Sequence, residues 1–175
     1  MHKRSLNKIC LVGVLAGMLL MLTPACKVSY SFSGTSIPIE INTASIQFFP
    51  NRAPLVQAQL SQTFTDALRD KIQSQTRLEI VNGIGDVDFS GEISNYETRP
   101  QAITGNETAA LNRLTITIRV NYENSVYPDD SFDTRFTRYE DYSSSQDLSQ
   151  VENELIELIV ENIVEDVFNR AFVNW

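Results

Sequence analysis

An α+β domain, with two helices packed on one face of a mixed, mostly antiparallel β-sheet, is predicted by three features of this 175-residue sequence. Apolar residues recur at helical spacing in two stretches, residues 54–72 and 149–171. Elsewhere in the chain apolar and polar residues alternate, the period of a strand with one covered face. The order strand, helix, strand, strand, strand, strand, helix then sets a parallel pair first and an antiparallel meander after it, with one sheet face left to water.

The chain opens with Lys3, Arg4 and Lys8, followed by an apolar run of 14 residues from Ile9 to Leu22. That length suits the apolar region of a signal peptide and falls short of the about 20 residues that a bilayer-spanning helix needs. The run meets Leu22-Thr23-Pro24-Ala25-Cys26, which resembles a bacterial lipobox. Residues 1–25 are therefore expected to be a lipoprotein signal peptide and Cys26 the lipid attachment site. Ordinary secretion by cleavage near Ala25 is the alternative, and it would leave Cys26 as a free thiol. Residues 26–43 follow as a lipidated N-terminus and tether, or an edge strand. In them Val28, Tyr30 and Phe32 alternate with serines until Gly34 and Pro38 interrupt.

The predicted domain occupies residues 44–175. Ala44 to Phe49 is apolar and aromatic and ends at Pro50-Asn51, which marks a first core strand. Pro54 suits the first turn of a helix, and Val56, Leu60, Phe64, Leu68 and Ile72 then form one apolar stripe. Arg77 to Val81 is a short strand closed by Asn82-Gly83. In the next strand Val87, Phe89, Gly91 and Ile93 alternate with Asp88, Ser90, Glu92 and Ser94. A slip of phase at Ser94-Asn95, before Tyr96, predicts a β-bulge. Arg99 to Ala110 is a long hairpin connection. Leu114 to Tyr122 is the cleanest strand, with Leu114, Ile116, Ile118, Val120 and Tyr122 on one side. After a connection through Pro128-Asp129-Asp130, Phe132 to Tyr142 makes the last strand. Ser149 and Glu152 have the spacing of a capping box and open a helix to about Ala171. Its apolar arc is too wide for one sheet face alone. Either it packs on both the sheet and the first helix, or it offers apolar surface to a partner.

Loss of residues 1–25 removes the single His and three basic residues, leaving 11 basic against 22 acidic residues, a net charge of −11. Such a chain is a poor match for nucleic acid, whose binding rests on neutralised phosphates. With no His, and with Cys26 as the last Cys, neither Ser-His-Asp nor Cys-His catalysis is available, nor a His or Cys metal site, nor an internal disulfide. No cofactor motif is present, and the reading is non-enzymatic. The remaining chemistry is that of carboxylates: a periplasmic glycan-binding lipoprotein or carboxylate-dependent hydrolase would use the acids near Asp129, Asp130 and Asp133, which otherwise form a solvated turn.

Several stretches together resemble one family. FFPNRAPLV, LSQTFTDALRDK, LNRLTITIRV, RYEDY and the ending FNRAFVNW, in that order behind a lipobox, are similar to the LPS-assembly lipoprotein family LptE of Gram-negative bacteria. The resemblance implies an outer-membrane lipoprotein that sits as a plug in the lumen of the β-barrel LptD and helps deliver lipopolysaccharide to the outer leaflet. Independently of the resemblance, the alternation of residues 114–122 puts Arg113 and Arg119 on the polar side of one strand with Thr115 and Thr117 between them, a positively tipped stripe on an acidic domain. They are candidate ligands for the phosphates of lipid A, since a guanidinium grips phosphate through paired N–H groups. The structural alternative is cross-strand ion pairing with acids such as Glu92 or Asp133.

Acyl chains on Cys26 would hold the protein at a membrane, each buried methylene contributing about 0.8 kcal/mol. Cys26→Ala is expected to move the processed protein from the membrane fraction to the soluble periplasm. Unchanged partitioning of that variant, with its signal removed, would contradict the anchor.

Overall fold

The computed structural model describes residues 37–55, 57–101 and 110–173. Its elements are β1 (Thr43–Ile46), α1 (Leu60–Gln75), β2 (Glu79–Ile80), β3 (Val87–Gln101), β4 (Leu111–Asn124), β5 (Phe132–Ser143) and α2 (Leu148–Phe172), with a 3-10 turn at Pro128–Asp130. The five strands form one sheet in the order β2-β1-β3-β4-β5. β1 is parallel to β2 and β3, while β3, β4 and β5 are antiparallel. This is the α+β architecture expected from the segment order.

Alternation along β4 sorts the molecule into a dry side and a wet side. Leu114, Ile116, Ile118, Val120 and Tyr122 are buried beneath the helices together with Val87, Phe89, Ile93 and Tyr96 of β3. From α1 come Leu60, Phe64, Leu68 and Ile72, the predicted stripe, and Val56 of that stripe lies outside the described residues. From α2 come Leu155, Ile156, Ile159, Val160, Ile163, Val164, Val167, Phe168 and Phe172. The wide apolar arc of α2 is thus shared between the sheet and α1. Lys71 of α1 pairs with Glu165 of α2 across that helix contact, and its ammonium lies 5.3 Å from the Phe168 ring centroid. The core also begins ahead of residue 44, because Ile41 is buried and Ile37 packs against the cluster.

Helix α1 starts six residues after Pro54, and the reason is pairing with β3. Arg52 N–H donates to Ile93 O at 2.9 Å and Ile93 N–H to Pro50 O at 3.0 Å, so residues 50–52 continue the edge of the sheet instead of coiling. Asn51 then turns the chain, accepting Ala53 N–H at 3.0 Å, and Gln57 Oε1 accepts the N–H groups of Gln59 and Leu60 at 2.6 and 2.9 Å. At α2 the expected capping box does not form. The helix begins at Leu148 with Asp147 as N-cap and no side-chain cap bond. Glu152 instead accepts the hydroxyl of Tyr96 from β3. A carboxylate offered both a first-turn amide and a buried phenol has taken the phenol, whose donor would otherwise lack a partner.

The β-bulge falls where the sequence phase slips: Ile93 pairs with Ile118 and Asn95 with Thr117, leaving Ser94 as the extra residue. That insertion turns Tyr96 inward. Gly91 serves a different need. It has φ +151° and pairs with Val120 where the Phe49 ring crosses β3. A Cβ there would stand 2.0 Å from the Arg119 carbonyl oxygen and 2.8 Å from Phe49 Cε1. Gly91→Ala is accordingly expected to destabilise the fold by roughly 2–4 kcal/mol, read as a lowered midpoint in urea. A midpoint equal to the parent's would show that the β3–β4 ladder yields at this point without loss.

Candidate functional site: the open face of the sheet

No helix covers the second face of the β3–β4–β5 meander among the described residues. Register determines what it presents. β3 contributes Asp88, Ser90, Glu92, Asn95, Glu97 and Arg99, and β4 contributes Arg113, Thr115, Thr117, Arg119, Asn121 and Glu123. β5 adds Asp133, Arg135, Thr137, Tyr139 and Asp141. These positions are polar or aromatic with a hydroxyl, and the exposed Leu111 at the start of β4 is the apolar exception on this side. A half-buried antiparallel strand requires this of its wet face, but the face is also organised internally. Thr117 and Thr137 share a hydrogen bond at 2.9 Å, and Gln47 donates to Asp88 at 2.8 Å. Ser90, Gly91, Glu92, Arg119, Asn121 and Asp133 line a shallow depression in it.

The two arginines singled out from the sequence both lie on this face, each gripped by an aspartate of β5. Arg113 is directly opposite Asp141 in the register and donates Nε and Nη2 to its two oxygens at 2.7 and 2.8 Å. Its guanidinium also lies 3.6 Å from the centroid of Tyr139. Arg119 faces Arg135 across the ladder and reaches diagonally to Asp133, with Nε to Oδ1 at 2.8 Å and Nη2 to Oδ2. Cross-strand pairing, including the pair with Asp133, is therefore present. Alternation along β5 puts Arg135, Tyr139 and Asp141 on the same side as Asp133, which is the sequence signal for these partners. The structure separates the candidate carboxylate cluster. Asp129 and Asp130 sit on the exposed 3-10 turn while Asp133 is bound to Arg119. Among the described residues no three of His, Cys, Asp and Glu converge on a point that could hold a metal ion. Cys26 lies outside the described residues.

The sequence profile of the family LptE, lipopolysaccharide-assembly, matches residues 41–171. No curated protein matches the sequence. Among solved structures, a minor lipoprotein from Acinetobacter baumannii aligns with a TM-score of 0.50 at 12% identity, covering 75% of this chain and 93% of that one. A hypothetical protein from Chlamydia trachomatis aligns with a TM-score of 0.52 at 9% identity, covering 77% of this chain and 99% of that one. At such identities the likeness is one of fold.

Mutual hydrogen bonding holds the Asp133 and Asp141 carboxyls below the usual carboxylate range and the Arg119 and Arg113 guanidiniums above theirs. A carboxylate depressed in the folded state contributes stability above its unfolded pKa and loses it as pH falls through the folded value. The contribution is small, because both pairs are exposed and screened by salt. Asp133→Asn with Asp141→Asn is expected to lower the melting temperature slightly at neutral pH in low salt. The gap to the parent should close as the pH drops below the ordinary carboxylate range. A gap that persists in acid would mean that these aspartates act through packing.

Proposed function

Because the chain belongs to the lipopolysaccharide-assembly family LptE, we propose that it is an outer-membrane-anchored lipoprotein acting as plug and assembly partner of an LptD-type β-barrel. The observation that carries this is the family match over residues 41–171, which runs from before β1 into the last turn of α2. The family is one of non-enzymatic assembly lipoproteins, so the hydrolase alternative falls away. The open sheet face supports the plug reading on physical grounds. A barrel lumen is polar and wet, and a surface whose charges are already matched loses little when water is thinned around it. Isolated charges entering the same space would each meet a desolvation cost.

In this reading lipopolysaccharide contacts the same face, at Arg113 and Arg119. Their side chains remain 30% and 46% exposed, so the outer edges of both guanidiniums stay within reach of a phosphate. A phosphate carries more charge than a carboxylate and accepts the same paired N–H geometry. It would therefore compete for each arginine with the aspartate that now holds it. The lipid anchor at Cys26 keeps the protein at the outer membrane in this reading.

Two measurements test it. Co-expression with an LptD-type barrel is expected to yield a stoichiometric complex in detergent; recovery of the lipoprotein alone, with the barrel folded and present, would overturn the plug assignment. Arg113→Gln with Arg119→Gln is expected to reduce lipopolysaccharide pull-down at least several-fold, because each substitution removes the paired charge-assisted donors that a phosphate would accept. Intact pull-down with a lowered melting temperature would instead leave the two arginines as electrostatics of the sheet.

A further inference from the structure

We infer that the groove between α1 and α2 seats a basic amphipathic helix of a partner protein, an interaction that goes beyond the plug reading and does not use the open sheet face. One face of α1, through Thr63, Ala67 and Ser74, meets one face of α2, through Glu157, Val160 and Val164, around a groove of about 380 Å³. Val160 and Val164 are almost fully buried and Ala67 is half-buried, so these three aliphatic side chains form its floor. Asp70, Glu157, Glu161 and Glu165 are exposed along its rim. From Thr63 to Ser74 the groove follows α1 for roughly 16 Å, about three turns of helix. Helices pack by laying side-chain ridges into furrows of this kind, and an aliphatic stripe set into a groove is a recurrent mode of peptide recognition. The small side chain of Ala67 lets such a helix approach closely.

Charge selects the occupant. Lys71 is the one cation on the lining, and it is already paired with Glu165. Among the described residues Asp70, Glu157 and Glu161 have no ion pair and no side-chain hydrogen bond. The open face is the reverse case, since Arg113 and Arg119 are each held by an aspartate. Glu157, Glu161 and Glu165 also stand one turn apart along α2, a spacing at which like charges repel and weaken a helix. A row of acids that works against its own helix while framing an apolar floor is complementary to a partner whose lysines or arginines flank an aliphatic stripe. The same row excludes other occupants. A second mature chain would bring its own net charge of −11, and a membrane surface would bring anionic headgroups. The groove lies on the helix side of the molecule, so filling it leaves the open sheet face available to a lumen wall.

The test uses the whole mature chain, residues 26–175, carrying Cys26→Ala so that neither lipid nor detergent competes for the probe. The probe is a fluorescent synthetic helix of about 18 residues, long enough to hold its shape, with leucines on one face and lysines along both flanks. Anisotropy is expected to show saturable one-to-one binding that weakens as salt rises. Asp70→Asn with Glu157→Gln and Glu161→Gln should lower the affinity roughly tenfold, through loss of three exposed ion pairs. The melting temperature of that variant should equal or exceed the parent's, because repulsion along α2 is relieved. Glu123→Gln with Asp129→Asn and Asp130→Asn removes the same charge from elsewhere on the surface and should change the affinity less than about twofold. Ala67→Phe, which fills the floor without altering charge, should also weaken binding, and a probe with glutamates in place of the lysines should not bind. Absent binding of the lysine probe, equal losses in the two charge variants, or undiminished binding to Ala67→Phe would overturn the inference. So would self-association of the chain that the lysine probe fails to displace, which would give the groove to a second copy. Each of these outcomes leaves the plug reading standing, since the complex with the barrel is measured on its own.

Discussion

Burial of one face of β4 beneath two helices is the constraint on which the rest of the molecule depends. β4 is flanked on both sides, and four of its side chains, Leu114, Ile116, Ile118 and Val120, are fully buried. At about 1.5–3 kcal/mol for each fully buried aliphatic side chain, they contribute as much as the whole net stability of an ordinary domain. A register slip of one residue would bring Arg113, Thr115, Thr117 and Arg119 under the helices, so the pairing with β3 and β5 is strongly specified. Everything polar on the other face is then placed as well, because its register is the same register.

That coupling explains how far the architecture could be read in advance. Period-2 alternation in β3, β4 and β5 and period-4 recurrence in α1 are direct imprints of burial, and each reappears as a covered face. The bulge at Ser94 was legible for the same reason, since an extra residue must displace the alternation. Ends of elements were less legible, because competing partners decide them. The stretch from Pro54 has every local credential of a helix start, yet the Arg52–Ile93 bond holds the preceding chain on the sheet. Ser149 and Glu152 have capping-box spacing, yet Glu152 answers to Tyr96, 56 residues away in sequence. Local spacing carries no record of a donor that only folding brings near.

The candidate site shows the same division. Arg113 and Arg119 could be assigned to the wet face from β4 alone, but their partners could not be named without the offset between β4 and β5. The offset that puts Asp141 straight across from Arg113 sets Arg135 across from Arg119 and leaves Asp133 to be reached on the diagonal. A stripe that looks cationic along one strand becomes, across three, an alternating lattice of both signs.

β5 makes the last step of this argument, because it is a 12-residue strand on the open edge of the sheet. Long edges invite pairing with other chains, and inward-pointing charge is one of the devices that deters it. Arg138, on the helix-facing side of β5, is bound through both oxygens of Asp166 on α2 at 2.6 Å, and Glu140 shares that side. Asp133, Arg135 and Asp141 line the opposite side. A strand adding to this edge would have to accommodate charge on both of its faces, and at Arg138 it would meet a guanidinium already committed to the helix. For a protein proposed to work beside a barrel whose own strands must find one another, this matters. Charge on both faces of β5 makes this edge a poor template for the strands of another chain.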